Sequence, residues 1–170
     1  MPENEIKRNL GALESKDIYK TALDTRNFEI SLFWQRSNYF LVLNTGIGVG
    51  YFNVEWPDSL FLALFGSGVS FLWFFVNLGS KFWQSRWEQR LAIVEKEIAP
   101  DLNFFAAEMT TIYKDVENSF DISNRKDKFR KLLDKLTLKK PSVSFIMTLL
   151  SLLFISFWLV FAVIDLCKNI

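Results

Sequence analysis

The sequence predicts an all-α integral membrane protein with three transmembrane helices and a small helical cytoplasmic region. The first observation is three runs without a charged residue, at 37–54, 59–80 and 141–164. At about 1.5 Å per helical residue, these runs reach about 27, 33 and 36 Å, against a hydrocarbon core about 30 Å thick. Each run is therefore a candidate membrane span.

The second observation is the uneven placement of the twenty Lys and Arg residues. Six precede the first run, thirteen lie between Lys81 and Lys140, and one, Lys168, follows the third run. The link at residues 55–58 holds two acids and no base. Because basic loops are retained in the cytoplasm, we predict a multi-pass membrane protein with a cytoplasmic N-terminus and an external C-terminus.

The third observation is the composition, which argues against several classes of chemistry. Half of the residues are hydrophobic, and the eighteen Phe and six Trp exceed what a soluble domain of this length needs. The absence of His excludes His triads, His metal ligands and imidazole acid–base chemistry. No phosphate-binding glycine loop, zinc spacing or nucleophile elbow occurs. We therefore expect no enzyme, no metal and no cofactor.

These observations divide the chain into five segments. They are an N-terminal cytoplasmic amphipathic helix (1–36), a transmembrane hairpin of two spans (37–80), a cytoplasmic helical stalk and basic helix (81–140), a third transmembrane helix (141–166) and an external tail (167–170). The first segment mixes charged and apolar residues without a strand-like alternation, which predicts one or two helices leading directly into the first span.

Small residues in the first span favour close helix packing. Gly46 and Gly50 are four residues apart on one helical face, and Gly66 with its neighbours in the second span offers a matching surface. Three interpretations remain open: packing within the hairpin, a contact between subunits, and a kink that lines a pore.

The second span is predicted to continue beyond the membrane as a stalk. Trp83, Trp87 and Leu91 begin an apolar stripe at spacings of three and four residues, which lasts until Pro100 breaks the helix. The two Trp side chains either anchor at the membrane interface or pack against the N-terminal helix. A further helix is predicted over residues 102–116.

The last stretch before the third span, residues 125–140, carries eight bases against two acids and has an apolar helical face. It is a candidate site for an anionic lipid surface or for an anionic ligand, such as a nucleotide or a nucleic acid strand. The candidate residues are Arg125, Lys126, Lys128, Arg130, Lys131 and Lys135.

Uncharged polar residues inside the spans are the other candidate site. An unpaired amide or hydroxyl is costly in hydrocarbon, so these groups face protein or an aqueous path. They either make hydrogen bonds between helices of one protomer or line a pore between several copies. The candidates for pore lining or helix packing are Asn38, Asn44, Gly46, Gly50, Asn77, Ser144, Thr148 and Ser151.

Residues 77–88 read NLGSKFWQSRWE, with Trp34 before this motif and Glu95 after it. The motif resembles the NxGSKFWQxxWE signature of a family of small bacterial multi-pass membrane proteins. That family is similar to the membrane effectors of antiphage defence systems, including the ion-channel effector of the Hailong system. The resemblance covers residues 30–100 and implies a multimeric effector, restrained by a partner or a nucleotide-derived ligand, that depolarises the cell during infection.

The sequence thus supports three functional hypotheses. The leading one is an oligomeric inner-membrane effector, a ligand- or partner-gated ion channel with a cytoplasmic regulatory layer. Its partners would be the lipid bilayer, further copies of the chain, and a regulatory protein or a nucleotide or oligonucleotide at the cytoplasmic face. The alternative is a non-channel membrane scaffold or toxin-immunity protein that acts by binding a partner. A membrane-tethered nucleic-acid binder is the third.

Overall fold

A computed structural model describes residues 3–120, 127–139 and 141–169, with side chains from residue 15 onward. Helices account for most of this part of the chain, as the sequence predicts, and no strand occurs within it. The helices are α1 (Glu3–Tyr51), α2 (Asp58–Ile98), α3 (Met109–Phe120), α4 (Lys128–Leu138) and α5 (Val143–Asn169).

Helix α1 is one continuous helix of 49 residues, so the N-terminal segment leads directly into the first charge-free run. No proline interrupts it, and three of its four glycines come near its end, where Phe52 and Asn53 close the last turn onto carbonyls of Gly48 and Gly50. Helix α2 begins at Asp58, directly after Pro57. The missing N–H of the proline is harmless at the start of a helix, and the acid of Asp58 interacts favourably with the helix dipole.

Helix α2 continues past the second charge-free run to Ile98, which confirms the prediction that this span extends until Pro100. The turn beyond it is closed by backbone hydrogen bonds from Ala99 to the Glu95 carbonyl (2.8 Å) and from Leu102 to the Ala99 carbonyl (3.1 Å). The proline cannot donate to the helical ladder, so the helix ends where its hydrogen bonds do.

The helix predicted over residues 102–116 is wrong in its position, because α3 begins only at Met109. The carboxylate of Glu95 accepts hydrogen bonds from the backbone N–H groups of Phe104 (2.6 Å), Phe105 (2.6 Å) and Ala106 (2.9 Å). Three consecutive donors that point at one carboxylate hold this stretch as a loop. The apolar periodicity could not reveal that competing acceptor.

The chain divides into two compact units. One comprises Met1–Arg26 with Arg86–Pro141 and is called the hairpin unit here; it is distinct from the transmembrane hairpin predicted at residues 37–80. The other, the bundle unit, comprises Asn27–Ser85 with Ser142–Ile170. In the hairpin unit, α3 packs on α4, and Ile112 and Val116 of α3 line a cavity of about 170 Å³ together with Thr137 and Leu138 of α4. Asp127 caps α4, because its carboxylate accepts from the N–H groups of Phe129 (3.0 Å) and Arg130 (3.4 Å).

The bundle unit contains the apolar core, which has two parts. One is centred on Trp158 of α5 and includes Ile47 and Ala63, and the other is formed by Phe33, Trp73 and Met147. Each cluster draws on α1, α2 and α5, so the three charge-free runs pack against one another.

Within the described residues, α2 and α5 are long and apolar enough to cross a membrane, with mean hydropathies of 2.0 and 2.5 in their most apolar windows. Only 33% and 22% of those windows are buried in the protein, whereas the core helix of a soluble protein is mostly buried. Two of the three predicted spans thus have membrane character by length and composition. The first run is helical, but its amides, hydroxyls and glycines make it less apolar.

Candidate functional site

The centre of the bundle unit is a hydrogen-bonded cluster around the Asn44 side chain, which is 1% exposed. Its Oδ1 accepts from the Trp158 indole N–H (2.8 Å) and is within reach of the Ser70 hydroxyl (2.9 Å). Its Nδ2 donates to the Phe40 carbonyl at 2.9 Å. Because these groups come from α1, α2 and α5, the amide joins all three helices of the bundle unit.

A second buried amide, Asn77, joins α2 to α5 by donating from Nδ2 to the Met147 carbonyl at 3.0 Å. Two helical turns farther along α2, Oε1 of Gln84 accepts a hydrogen bond from the hydroxyl of Ser144 on α5 at 3.0 Å. Both contacts lie inside one protomer. The polar residues of the spans were expected either to bond helices within one protomer or to line a pore between copies. Asn44, Asn77 and Ser144 bond helices within one protomer.

The remaining hydroxyls of the predicted α5 stripe bond to their own helix. Thr148 donates to the Ser144 carbonyl (2.8 Å) and Ser151 donates to the Thr148 carbonyl (2.7 Å). Ser151 is fully buried and Thr148 half-buried. The stripe therefore faces protein rather than lipid, and protein is one of the two environments, beside an aqueous path, that the sequence predicts for it.

The glycines contact different partners from those that their spacing suggested. A Cβ on Gly66 would lie 2.6 Å from the Trp158 ring, so this glycine creates the space in which the indole lies. Gly50 approaches Leu62 on α2, where a Cβ would be 3.2 Å from Cδ1. Gly46 has no atom within 4 Å of its Cβ position, so the expected pairing of Gly46 with Gly66 does not occur.

Helix α1 carries an exposed, uncharged polar stripe that the sequence analysis recognised only at Asn38. At about 100° per residue, its members fall within about 60° of the direction of Asn38. Val42 and Val49 lie between them and are also exposed, at 72% and 61%. The exposed polar residues of this α1 stripe include Ser31, Gln35, Asn38 and Thr45, and Asn53 continues it just beyond the end of the helix at Tyr51. Their spacing of three, four, seven or eight residues is the signal that could have identified them.

At the end of the bundle where α1 stops, the Tyr51 hydroxyl donates to Oδ1 of Asp165 at 3.0 Å. Asp165 is 8% exposed, and its Oδ2 has no hydrogen-bond partner among the described residues. Both residues line an open cavity of about 380 Å³ that also includes Glu55, Ser59 and Lys168. This cavity is lined by both polar and apolar side chains and lies at the edge of the charge-free runs.

The predicted basic site lies on α4 and in the segment before it. Arg125 and Lys126 fall outside the described residues. Lys128, Arg130 and Lys135 are exposed, and Lys131 is half-buried. Within the described part of the chain, no group of three or more His, Cys, Asp or Glu side chains is placed to hold a metal ion.

The hairpin unit has its own buried charge, Glu95, which is 2% exposed. Burial by itself raises the pKa of this carboxyl, but the three hydrogen bonds from Phe104, Phe105 and Ala106 outweigh it and lower the pKa. Burial, and then the negative charge of Glu95, raise the pKa of Tyr19. Glu95 is therefore an ionised group that organises the loop.

These features define a helical membrane protein whose bundle is held together by buried amides and hydroxyls. Residues 16–167 match the octameric membrane protein family (8xMP), and the chain belongs to this family. Comparison with curated proteins and with solved structures found no match. Membership supports the membrane location and an assembly of several identical copies.

Proposed function

We propose that this protein is an oligomeric inner-membrane effector that forms a gated ion channel, with the polar stripe of α1 lining the path between copies. One observation carries the proposal. The α1 stripe points out of the single protomer, and three of its members, Asn38, Thr45 and Asn53, are exposed uncharged polar residues of the charge-free run 37–54. In lipid such a face would be unfavourable, and in an assembly it meets water or another copy.

The proposal requires residues 37–51 of α1 to cross the membrane as a third span. Their contacts support this, because Asn44 bonds to Trp158 of α5 and Ile47 and Tyr51 belong to the core around that indole. A helix that packs side by side with two membrane helices shares their depth. The distribution of basic residues then orients the N-terminus and the hairpin unit toward the cytoplasm.

The family's octameric description allows a simple geometric estimate. Eight helices in a closed ring at a contact distance of about 10 Å have an axis-to-axis diameter of about 26 Å, which leaves an opening of about 16 Å. An opening of that width passes hydrated ions with little selectivity. Neutral amides and hydroxyls along its wall impose no strong charge preference.

Gating is assigned to the hairpin unit, through a regulatory protein or an anionic nucleotide-type ligand. The resemblance of residues 77–88 to antiphage effectors supports a role in which opening depolarises an infected cell. The chain acts in this proposal as a channel and not as an enzyme.

Cysteine accessibility tests the lining directly. Full-length protein with Cys167→Ser and single cysteines at Asn38, Thr45 or Asn53 is reconstituted in liposomes and treated with a charged, membrane-impermeant thiosulfonate. Block of ion flux by modification of these positions supports the proposal, and a cysteine at the lipid-facing Val163 of α5 is the matched control, since that side chain is 57% exposed. No flux under any ligand or partner condition, or equal effects at all positions, contradicts it.

A non-channel scaffold is the second candidate, and one observation favours it. Asn44 and Asn77 make hydrogen bonds between helices of one protomer, which joins the bundle without a lumen. A scaffold predicts stable copurification with a partner and no conductance in liposomes. The channel predicts conductance together with toxicity on overexpression.

A further inference from the structure

Helix α4 presents its apolar side chains away from the protein. Phe129 is 67% exposed, and the three leucines that share its face are 44 to 54% exposed. No described residue of α4 is fully buried. The members of this α4 apolar face are Phe129, Leu132, Leu133 and Leu136.

The α4 apolar face lies opposite the side that packs on α3. At about 100° per residue, its four side chains span an arc of about 100°. The half-buried residues of α4 are Lys131, Asp134 and Leu138, and their directions are centred about 180° from the middle of that arc. An amphipathic helix normally buries its apolar face in its own domain, and here the contact with α3 uses the other side.

The charges of α4 complement an anionic surface. Lys128 and Lys135 are exposed at one edge of the apolar face, together with Lys139, and Arg130 is exposed at the other edge. Each lies roughly 70 to 110° from the centre of the apolar face. A helix that lies flat with its apolar side in the acyl region places such side chains at the depth of the lipid headgroups.

The chain keeps α4 close to a membrane helix. Only residues 139–142 separate Leu138, the end of α4, from Val143, the start of α5. Even fully extended, so short a link spans at most about 18 Å. Helix α5 has the length and hydropathy of a membrane span, so α4 remains near the membrane surface at that end of α5.

From these observations we infer that the α4 apolar face binds an anionic lipid surface, with the flanking lysines and Arg130 contacting lipid phosphates. The occupant is lipid, rather than a second copy of the chain or a nucleic acid strand, because the exposed face is strongly apolar and cationic only at its edges. This arrangement makes the conformation of the hairpin unit sensitive to lipid charge, and it does not depend on whether the protein conducts ions.

The test places a fluorescent depth probe on α4 in the full-length protein. Leu136→Cys, in a Cys167→Ser background, is labelled with an environment-sensitive fluorophore and reconstituted in vesicles of phosphatidylcholine with or without phosphatidylglycerol. We expect a blue-shifted emission that nitroxide-labelled lipids quench, and more of both when phosphatidylglycerol is present. Thr111→Cys on α3 is the control, because this side chain is exposed and lies on another helix of the same unit.

A charge variant separates lipid binding from other contacts. The double variant Lys128→Gln/Lys135→Gln, labelled at the same site, should lower the phosphatidylglycerol-dependent partition of the probe by roughly 25-fold, since each lysine near an anionic surface contributes about fivefold. The inference would be overturned if lipid quenchers had no effect in either membrane, or if the emission did not depend on lipid charge. It would also be overturned if Leu136→Cys crosslinked to another copy of the chain, or if added oligonucleotide, and not lipid, shifted the emission.

Discussion

The Trp158 indole donates a hydrogen bond to the Asn44 side chain across 2.8 Å, although 114 positions separate the two residues in the chain. The same indole lies over Gly66, so one side chain of α5 fixes both α1 and α2. A polar contact and a close steric fit thus converge on a single tryptophan.

Asn44→Ala should destabilise the bundle unit by about 1 to 3 kcal/mol, because the buried Trp158 N–H loses its acceptor. The measurement is thermal unfolding of the purified protein in detergent. Asn53→Ala is the matched control, since Asn53 is exposed and its side chain donates to the Val49 carbonyl in the adjacent last turn of α1. Equal melting temperatures of the two variants would show that the Asn44 cluster is not a stabilising element.

Gly66→Ala should also destabilise the bundle, by about 1 to 3 kcal/mol, because the added methyl group would lie 2.6 Å from the Trp158 ring. Gly68→Ala, two residues away on the same helix, has nothing within 4 Å and should be neutral or stabilising by up to about 1 kcal/mol. Thermal unfolding of both variants, side by side, measures the difference. A fully tolerated Gly66→Ala would contradict the fit between Gly66 and the indole.

Gly46→Leu should change the assembly without unfolding the protomer. A Cβ at Gly46 would have no other part of the protomer within 4 Å, and Gly46 lies beside the α1 stripe that we assign to the path between copies. A bulky side chain there should keep neighbouring helices apart, which mass photometry in detergent detects as smaller particles. Gly68→Leu, equally open within the protomer, is the control. Unchanged particle size for Gly46→Leu would place the contacts between copies elsewhere.

Glu95→Gln should destabilise the hairpin unit near neutral pH by about 1 to 3 kcal/mol, because an amide replaces an ionised acceptor of three N–H groups. The pKa of Glu95 is lowered in the folded protein, so its stabilising contribution is complete above its ordinary value of 4.5 and is lost as the pH falls through the lowered value. Melting temperatures measured across acidic pH should fall less steeply for Glu95→Gln than for the unchanged protein.

The control for this pH dependence is Glu97→Gln, on the same helix but exposed. It removes one carboxylate without touching the loop, so its melting temperature should follow that of the unchanged protein. If Glu95→Gln and Glu97→Gln behaved alike, the loop would not depend on the Glu95 carboxylate.

Several elements follow from local chemistry and were predictable. Pro100 ends α2 because it lacks a donor, and the continuity of α1 follows from a segment without helix breakers. The position of α3 was not predictable from periodicity. A single carboxylate, Glu95, captures the N–H groups of the residues that the apolar pattern assigned to a helix.

The candidate site divides in the same way. Sequence spacing identified the polar residues of the spans, but a helical pattern does not show which side of each helix meets its neighbours. The structure places Asn44 and Asn77 inside the protomer and leaves Asn38 and Gly46 on its surface. Only the second pair remains available to a path or contact between copies.

The sequence by itself determined that the chain is helical and built for a membrane, because long uncharged runs and a one-sided distribution of bases have no other economical explanation. The tertiary structure alone decided which polar groups pair. Trp158 can reach Asn44 and lie over Gly66 only when α5 packs against both α1 and α2. It also decided that α4 turns its apolar face outward, because α3 covers the opposite side. Both outcomes depend on contacts between residues far apart in the chain, which local periodicity does not encode.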